Sequence, residues 1–269
     1  MSTIILLSIL IIYCIFYLLN YYYIQSKKIA IKKNQQLDVA VIVEPRKDIM
    51  LIKVLKNYLK LLPKNTKIHI FHGINNEKLI LDNFNQEIFH NKIIMTNMKI
   101  KNLTISQYNL LLTSLDFYNK INGENILIFQ MDTCLCSNSK YKINDFFDYD
   151  YVGSPWINQN SYKYENLQKK VISVKLHNKV GNGGLSFRKK SKMIEHIKTH
   201  TYNGEPEDIY FSKSKILQFP SIKEASNFST EYLVNPNSYG IHRSHKILSN
   251  DKIKLLRKTC PEFNIFFEN

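Results

Sequence analysis

The chain has little cysteine, tryptophan, glycine, proline or acid: four Cys, one Trp, eight Gly, seven Pro and 22 Asp or Glu in 269 residues. With Cys14 in an apolar N-terminus, Cys134, Cys136 and Cys260 are too few, and odd in number, for a disulfide framework. Cys134-x-Cys136 lacks the second pair of a zinc site, and alternation along a strand accounts for it. Gly181-x-Gly183-Gly184 has neither the spacing nor the strand–helix setting of a P-loop or dinucleotide fingerprint. No arginine-rich stripe, zinc finger or RNA-binding signature occurs, so no nucleic-acid partner is expected. No internal repeat, low-complexity linker or second core is present, which fits one α/β domain. The 37 basic residues against 22 acidic ones give a net charge of +15, suiting acidic partners such as nucleotide phosphates, nucleic acid or anionic lipid. Ile, Asn, Lys, Tyr and Phe have A/T-rich codons, so the lysine count alone is weak evidence for nucleic-acid binding.

The first long feature is apolar. Residues 4–24 are broken only by Ser8 and Asn20. As a helix they would span roughly 30 Å, the thickness of a bilayer's hydrocarbon core. Tyr21, Tyr22 and Tyr23 would form an interfacial belt, followed by Lys27, Lys28, Lys32 and Lys33. The expectation is a single-pass anchor over 4–24, contacting the lipid bilayer, with a basic juxtamembrane linker over 25–36. The lysines put the following domain in the cytoplasm by the positive-inside rule. The sequons Asn102-Leu-Thr104 and Asn227-Phe-Ser229 instead fit a lumenal domain.

Beyond the linker the periodicity alternates. Residues 37–43 read as a strand, 49–62 as a helix stopped by Pro63, and 67–71 as a second strand. Residues 88–95 hold a third strand. Thr104-x-x-Gln107 is a capping box opening a helix over 105–119. Residues 126–129 are apolar throughout, as in a strand buried on both faces. This order predicts a mostly parallel sheet flanked by helices. Residues 149–156 read as strand and turn, 157–179 as a long loop or hairpin, and 180–184 as a turn into a short strand, 185–188. Helices follow over 190–200 and 209–213. The domain is expected over 37–248, with a basic tail over 249–269.

Asp132 ends the segment Asn125-Ile-Leu-Ile-Phe-Gln-Met-Asp132, where open α/β sheets place ligand chemistry. An anion there needs a positive partner, and a divalent metal bridging to a pyrophosphate would supply one. Asp148-Tyr-Asp150 is a literal Asp-x-Asp, but it lacks the preceding helix and buried strand, and its acids read as turn residues. Glu207-Asp208 opens a helix, where acids favour the dipole; alternatively one of them is a base that deprotonates a hydroxyl. His242 is either structural or a metal ligand. Trp156 either packs in the core or stacks on a sugar ring.

Glu44-Pro-Arg46, Phe129-Gln-Met-Asp132, Asp150-Tyr-Val-Gly-Ser-Pro-Trp156, Gly181-Asn-Gly-Gly-Leu-Ser-Phe-Arg188, Pro206-Glu-Asp208 and Gly240-Ile-His242 occur in this order. Together they resemble a glycosyltransferase-like domain family of GT-A type, found in fungi, plants, bacteria and giant DNA viruses. The A/T-rich composition suits a mimivirus-like member. The resemblance implies that Asp132 binds Mn2+ or Mg2+ holding a nucleotide-sugar diphosphate, with His242 as a second metal ligand. Gln130 stands where that family type has its first Asp. Glu44 and Arg46 would face nucleoside and phosphates, and Gly183 and Gly184 would line the donor sugar. Asp208, or Glu207, would be the base of an inverting displacement onto a glycan, protein or lipid acceptor, with Trp156 on the acceptor side. The missing first Asp leaves a second reading, a non-catalytic nucleotide-sugar or carbohydrate-binding relative. A basic nucleic-acid-binding membrane protein is a third.

Overall fold

Val39–Glu44 is buried along its whole length because it lies between two parallel neighbours in the sheet. The computed structural model describes residues 12–23, 35–156, 161–176 and 178–267. Residues 1–36 and Leu37–Asn269 form separate compact units. In the first, residues 12–23 form helix α1.

The second unit begins with β1 (Val39–Glu44), α2 (Ile49–Leu61), β2 (Lys67–His72), α3 (Glu77–Phe89), β3 (Ile93–Asn97), α4 (Ile105–Leu112), α5 (Leu115–Asn119) and β4 (Asn125–Phe129). Then come β5 (Thr133–Leu135), β6 (Tyr151–Pro155), β7 (Ser161–Glu165), β8 (Val171–Lys175), β9 (Val180–Lys189), α6 (Lys190–Thr199), α7 (Glu207–Ser212) and α8 (Ile222–Phe228). Last are β10 (Ser229–Thr230), β11 (Gly240–His242), α9 (Ser244–Ile247) and α10 (Asn250–Thr259).

The main sheet has the order β3-β2-β1-β4-β9-β6. Strands β1 to β4 pair in parallel, and β9 runs antiparallel to both β4 and β6. The expected mixed α/β architecture with a mostly parallel central sheet is therefore present. Alternation explains burial on both faces. Ala40, Ile42, Leu127 and Phe129 pack with Leu51, Val54 and Tyr58 of α2. Val39, Val41, Ile126 and Ile128 pack on the other side with Phe117, Tyr118, Met193 and Phe211.

Several boundaries differ from the sequence reading. Helix α3 was not foreseen; it is mostly exposed and departs from helical geometry at Phe84. The helix expected over 105–119 breaks in two. Thr113 Oγ1 bonds back to Asn109 O, and Ser114 caps α5 by accepting from Phe117 N. Such hydroxyls compete with the helical ladder. Residues 180–184 belong to one ten-residue strand with 185–189. The β6–β9 register shifts where Ser154 pairs with Asn182. Gly181 at φ 117° supplies a backbone conformation that side chains disfavour.

The expected single-pass membrane placement is corrected. Among the described residues no helix is long and apolar enough to cross a membrane. Helix α1 spans twelve residues, 12–23, or about 18 Å, short of the hydrocarbon core. The remainder of the expected anchor, 4–11 and 24, and most of the linker lie outside the described residues. Residues 250–259, expected within a basic tail, form α10, and Leu256 and Phe263 pack against Cys134 and Ile241. Cys136 and Cys260 form a disulfide across a separation of 124 residues. The cysteine count alone did not disclose this pair.

Candidate active site

Asp132 and His242 are brought together by a small sheet, not by proximity in sequence. Immediately after Asp132 the chain enters β5, which pairs antiparallel with β11, with Thr133 opposite His242. Their side chains then meet: His242 Nε2 lies 3.7 Å from Asp132 Oδ1. Arg243 at φ 52° turns the chain out of β11. Its N–H donates to Asp132 O at 2.8 Å, and Lys246 Nζ reaches Asp132 Oδ2 at 3.0 Å. Burial raises the Asp132 carboxyl, but its neighbours His242 and Lys246, the latter also hydrogen-bonded to it, outweigh burial and hold the group below its ordinary value. Burial lowers His242 to about 4. The imidazole is therefore neutral near pH 7, and Lys246 is then the counter-charge that matters to Asp132.

Strand β9 forms the adjoining wall. A β-carbon on Gly183 would collide with the Glu207 carboxylate, and one on Gly184 with the His242 ring. The Gly-Gly pair is thus required by close approach of two candidate site residues. Gly183 N donates to Asp208 Oδ2 at 3.4 Å, and Ile209 N to Asp208 Oδ1 at 2.8 Å. Burial raises the Asp208 carboxyl, opposed by these two N–H donors. Glu207 is held from beneath by Arg188, whose Nη2 lies 2.9 Å from Glu207 Oε2. Arg188 is fully buried and also donates to Tyr118 OH and Ser186 Oγ. Burial, opposed by Arg188, pushes the Glu207 carboxyl up to about 7.

At the carboxyl end of β1, Arg46 donates to both oxygens of the buried Glu44 carboxylate, at 2.8 and 2.7 Å. Glu44 is therefore an anchor for Arg46, whose side chain is 56% exposed. Gln130 Nε2 donates to Tyr108 OH at 3.0 Å.

These groups line one cleft of about 870 Å3, which includes Glu44, Arg46, Gln130, Asp132, Gly183, Gly184, Glu207, Asp208 and His242. It opens at the carboxyl ends of β1 and β4, the expected ligand position in such sheets, and its size suits a small-molecule ligand. Trp156 does not line it. The indole is buried with Leu176 and Ile209, and Tyr162 of β7 packs over that cluster and lines the cleft. Asp148 and Asp150 do not line it either; Asp150 is buried against Lys189.

The Asp132–His242 pair fits a divalent ion as a partial site. Two donor atoms of one ion commonly lie about 3 to 4 Å apart, given bonds near 2.1 Å. His242 Nδ1 faces Glu231 Oε1 at 3.5 Å without a hydrogen bond, and Nε2 faces Asp132. Among the described residues, no group of three or more ligating side chains forms here; the remaining ligands would come from substrate and water. Glu231, Arg188, Tyr108 and Lys246 were not singled out from the sequence. Glu231 carries no periodic or motif signal, whereas Arg188 ended a segment already quoted.

No curated protein matches the chain. Among solved structures, HddC from Yersinia pseudotuberculosis is similar at 14% identity, covering 82% of this chain and 99% of that one, with a TM-score of 0.41. The inositol-1-phosphate CTP transferase from T. maritima is similar at 8% identity, covering 84% and 97%, with a TM-score of 0.45. GalNAc-T7, solved with UDP, GalNAc and Mn2+, is similar at 10% identity, covering 84% and 48%, with a TM-score of 0.46. Likenesses this distant assign no residue and no activity. Residues 90–244, more than half of the chain and carrying every cleft residue above except Glu44, Arg46 and Lys246, match the family described as protein of unknown function (DUF5672), and the protein belongs to that family.

Proposed function

We propose that the protein transfers a glycosyl group from a nucleotide-sugar donor to an acceptor hydroxyl with inversion at the sugar carbon. One observation carries this reading: Asp132, His242, Asp208 and the Gly183-Gly184 pair converge in one cleft at the carboxyl ends of β1 and β4. Arg46 and Lys246 offer cationic groups to a diphosphate, each paired here with a cleft carboxylate, Glu44 and Asp132 respectively. Asp132 and His242 would hold Mn2+ or Mg2+. Such an ion, when bound, offsets negative charge on the departing nucleoside diphosphate.

Asp208 is the base in this scheme. Its carboxylate is raised by burial, which strengthens it as a proton acceptor, and it accepts the acceptor hydroxyl's proton as the oxygen attacks the sugar carbon. Glu207 shares the cleft but is bound to Arg188 and braced against Gly183. It positions strand β9 at Gly183 rather than moving the proton. Tyr162 takes the acceptor-side position that the sequence suggested for Trp156.

A second reading, a donor-binding protein without turnover, is favoured by two contacts: Gln130 is engaged by Tyr108, and Asp132 already has Lys246. A panel of nucleotide sugars, tested by thermal shift with and without Mn2+ and then for donor hydrolysis, separates the readings. Binding with turnover supports transfer. Binding without turnover supports the second reading, and no binding at all overturns both.

A further inference from the structure

Cys134 lies in β5 and Cys136 directly beyond it. Residues two apart on a strand present their side chains to the same face. Cys260, at the end of α10, arrives at that face, and the three sulfurs all lie within 4.8 Å of one another. Cys136 and Cys260 are joined, while Cys134 is free and buried. Ile241, Leu256 and Phe263 wall the cluster. One carboxylate reaches it: Glu262 Oε2 lies 3.9 Å from Cys260 Sγ and also accepts from Ser137 N. A structural disulfide needs two sulfurs. It does not account for a third buried at the same point beside a carboxylate.

We propose that in the reduced chain Cys134, Cys136, Cys260 and Glu262 form a zinc site, an alternative state to the Cys136–Cys260 disulfide. The Cys-x-Cys segment alone lacks the donors for tetrahedral zinc; Cys260 and Glu262 complete the set from the C-terminal segment. Zinc–thiolate bonds of about 2.3 Å place tetrahedral sulfurs about 3.8 Å apart, so on reduction the Cys136 and Cys260 sulfurs part from bonding distance while Cys134, already within 4.8 Å of both, joins them. An external dithiol gives two electrons and two protons to Cys136 and Cys260 and closes to its own disulfide. Zinc then takes three thiolates, and three protons pass to solvent. Because β5 pairs with β11, the cluster adjoins the strand pair that positions Asp132 and His242.

The test uses the full chain carrying Cys14→Ser, reduced and metal-free, titrated with Zn2+ against a chromophoric chelator and separately with Co2+. The expected result is one Zn2+ per reduced chain, and a thiolate-to-cobalt charge-transfer band whose intensity corresponds to three thiolates. The oxidised chain gives no band. Cys134→Ala weakens zinc binding by more than about 100-fold, beyond the loss expected of an outer-sphere change, and His242→Ala retains it. A reduced chain with no band, or a band corresponding to two thiolates or fewer, overturns the proposal without any variant having to fold. So does a folded Cys134→Ala chain that binds zinc as tightly as its parent.

Discussion

The His242 imidazole occupies the space over Gly184 that a side chain would need: a β-carbon there would meet Nε2, Cε1 and Cδ2 of the ring. Gly184→Ala must therefore displace His242 or bend β9. Overpacking of this kind costs about 1–3 kcal/mol. The expected outcome is a lower denaturation midpoint together with weaker Mn2+-dependent donor binding. Unchanged donor binding in a folded variant would show that the Gly184–His242 approach does not shape the site.

Asp208 and Glu207 are adjacent but differently engaged. Asp208→Asn should leave donor binding intact and lower transfer by about 100-fold or more, the scale of losing a general base. Unchanged transfer removes Asp208 as the base.

The Arg188–Glu207 pair is almost completely buried, at 0% and 5% side-chain exposure. Arg188→Met strands a carboxylate and should cost about 3–5 kcal/mol in urea unfolding. Adding Glu207→Leu should recover part of that loss. A single variant as stable as the parent would contradict the pairing.

Lys246 neutralises Asp132 at 3.0 Å and so competes with a bound cation. Lys246→Met should lower the Mn2+ concentration giving half-maximal donor binding. A higher Mn2+ requirement would mean that Lys246 assists the metal instead of competing with it.

His69 and His196 are each held near 4. Burial is the main cause for both, with His200 and Lys213 adding to it at His196. Their unfolded values lie near 6.5, so the unfolded chain takes up protons first. Their contribution to stability is present above about pH 6.5 and is lost as pH falls toward 4. Glu207 and Glu231, raised by burial to about 7 and about 8, act in the opposite sense over the same range, so the comparison is between chains: from pH 7 to pH 5 the parent's urea midpoint should fall relative to that of a His69→Gln, His196→Gln double variant. An equal slope in both chains would contradict this assignment.

What was readable in the sequence follows the range of the interactions. Asp132 was legible because a buried strand announces itself by an unbroken apolar run, and the residue after its end inherits a position. Gly183 and Gly184 were legible as a departure from strand composition, though not as clearance for Glu207 and His242. Lys246 lies 114 residues from Asp132, and no local period links them. The Cys136–Cys260 bridge and the Arg188–Glu207 pair are set by tertiary packing for the same reason. Helix α3 was missed because most of its surface is exposed, only Ile80 and Phe84 are buried, and its backbone departs from helical geometry at Phe84. Trp156 shows the opposite case: an aromatic beside site residues in sequence that the fold assigns to packing under Tyr162.

The most direct measurement is Mn2+-dependent hydrolysis of a panel of nucleotide sugars by the parent chain and by Asp132→Ala. The account predicts that the parent hydrolyses at least one donor only with Mn2+, and that Asp132→Ala loses that hydrolysis together with the metal-dependent part of donor binding. Hydrolysis of no donor by the parent, or an equal rate in Asp132→Ala, would contradict it.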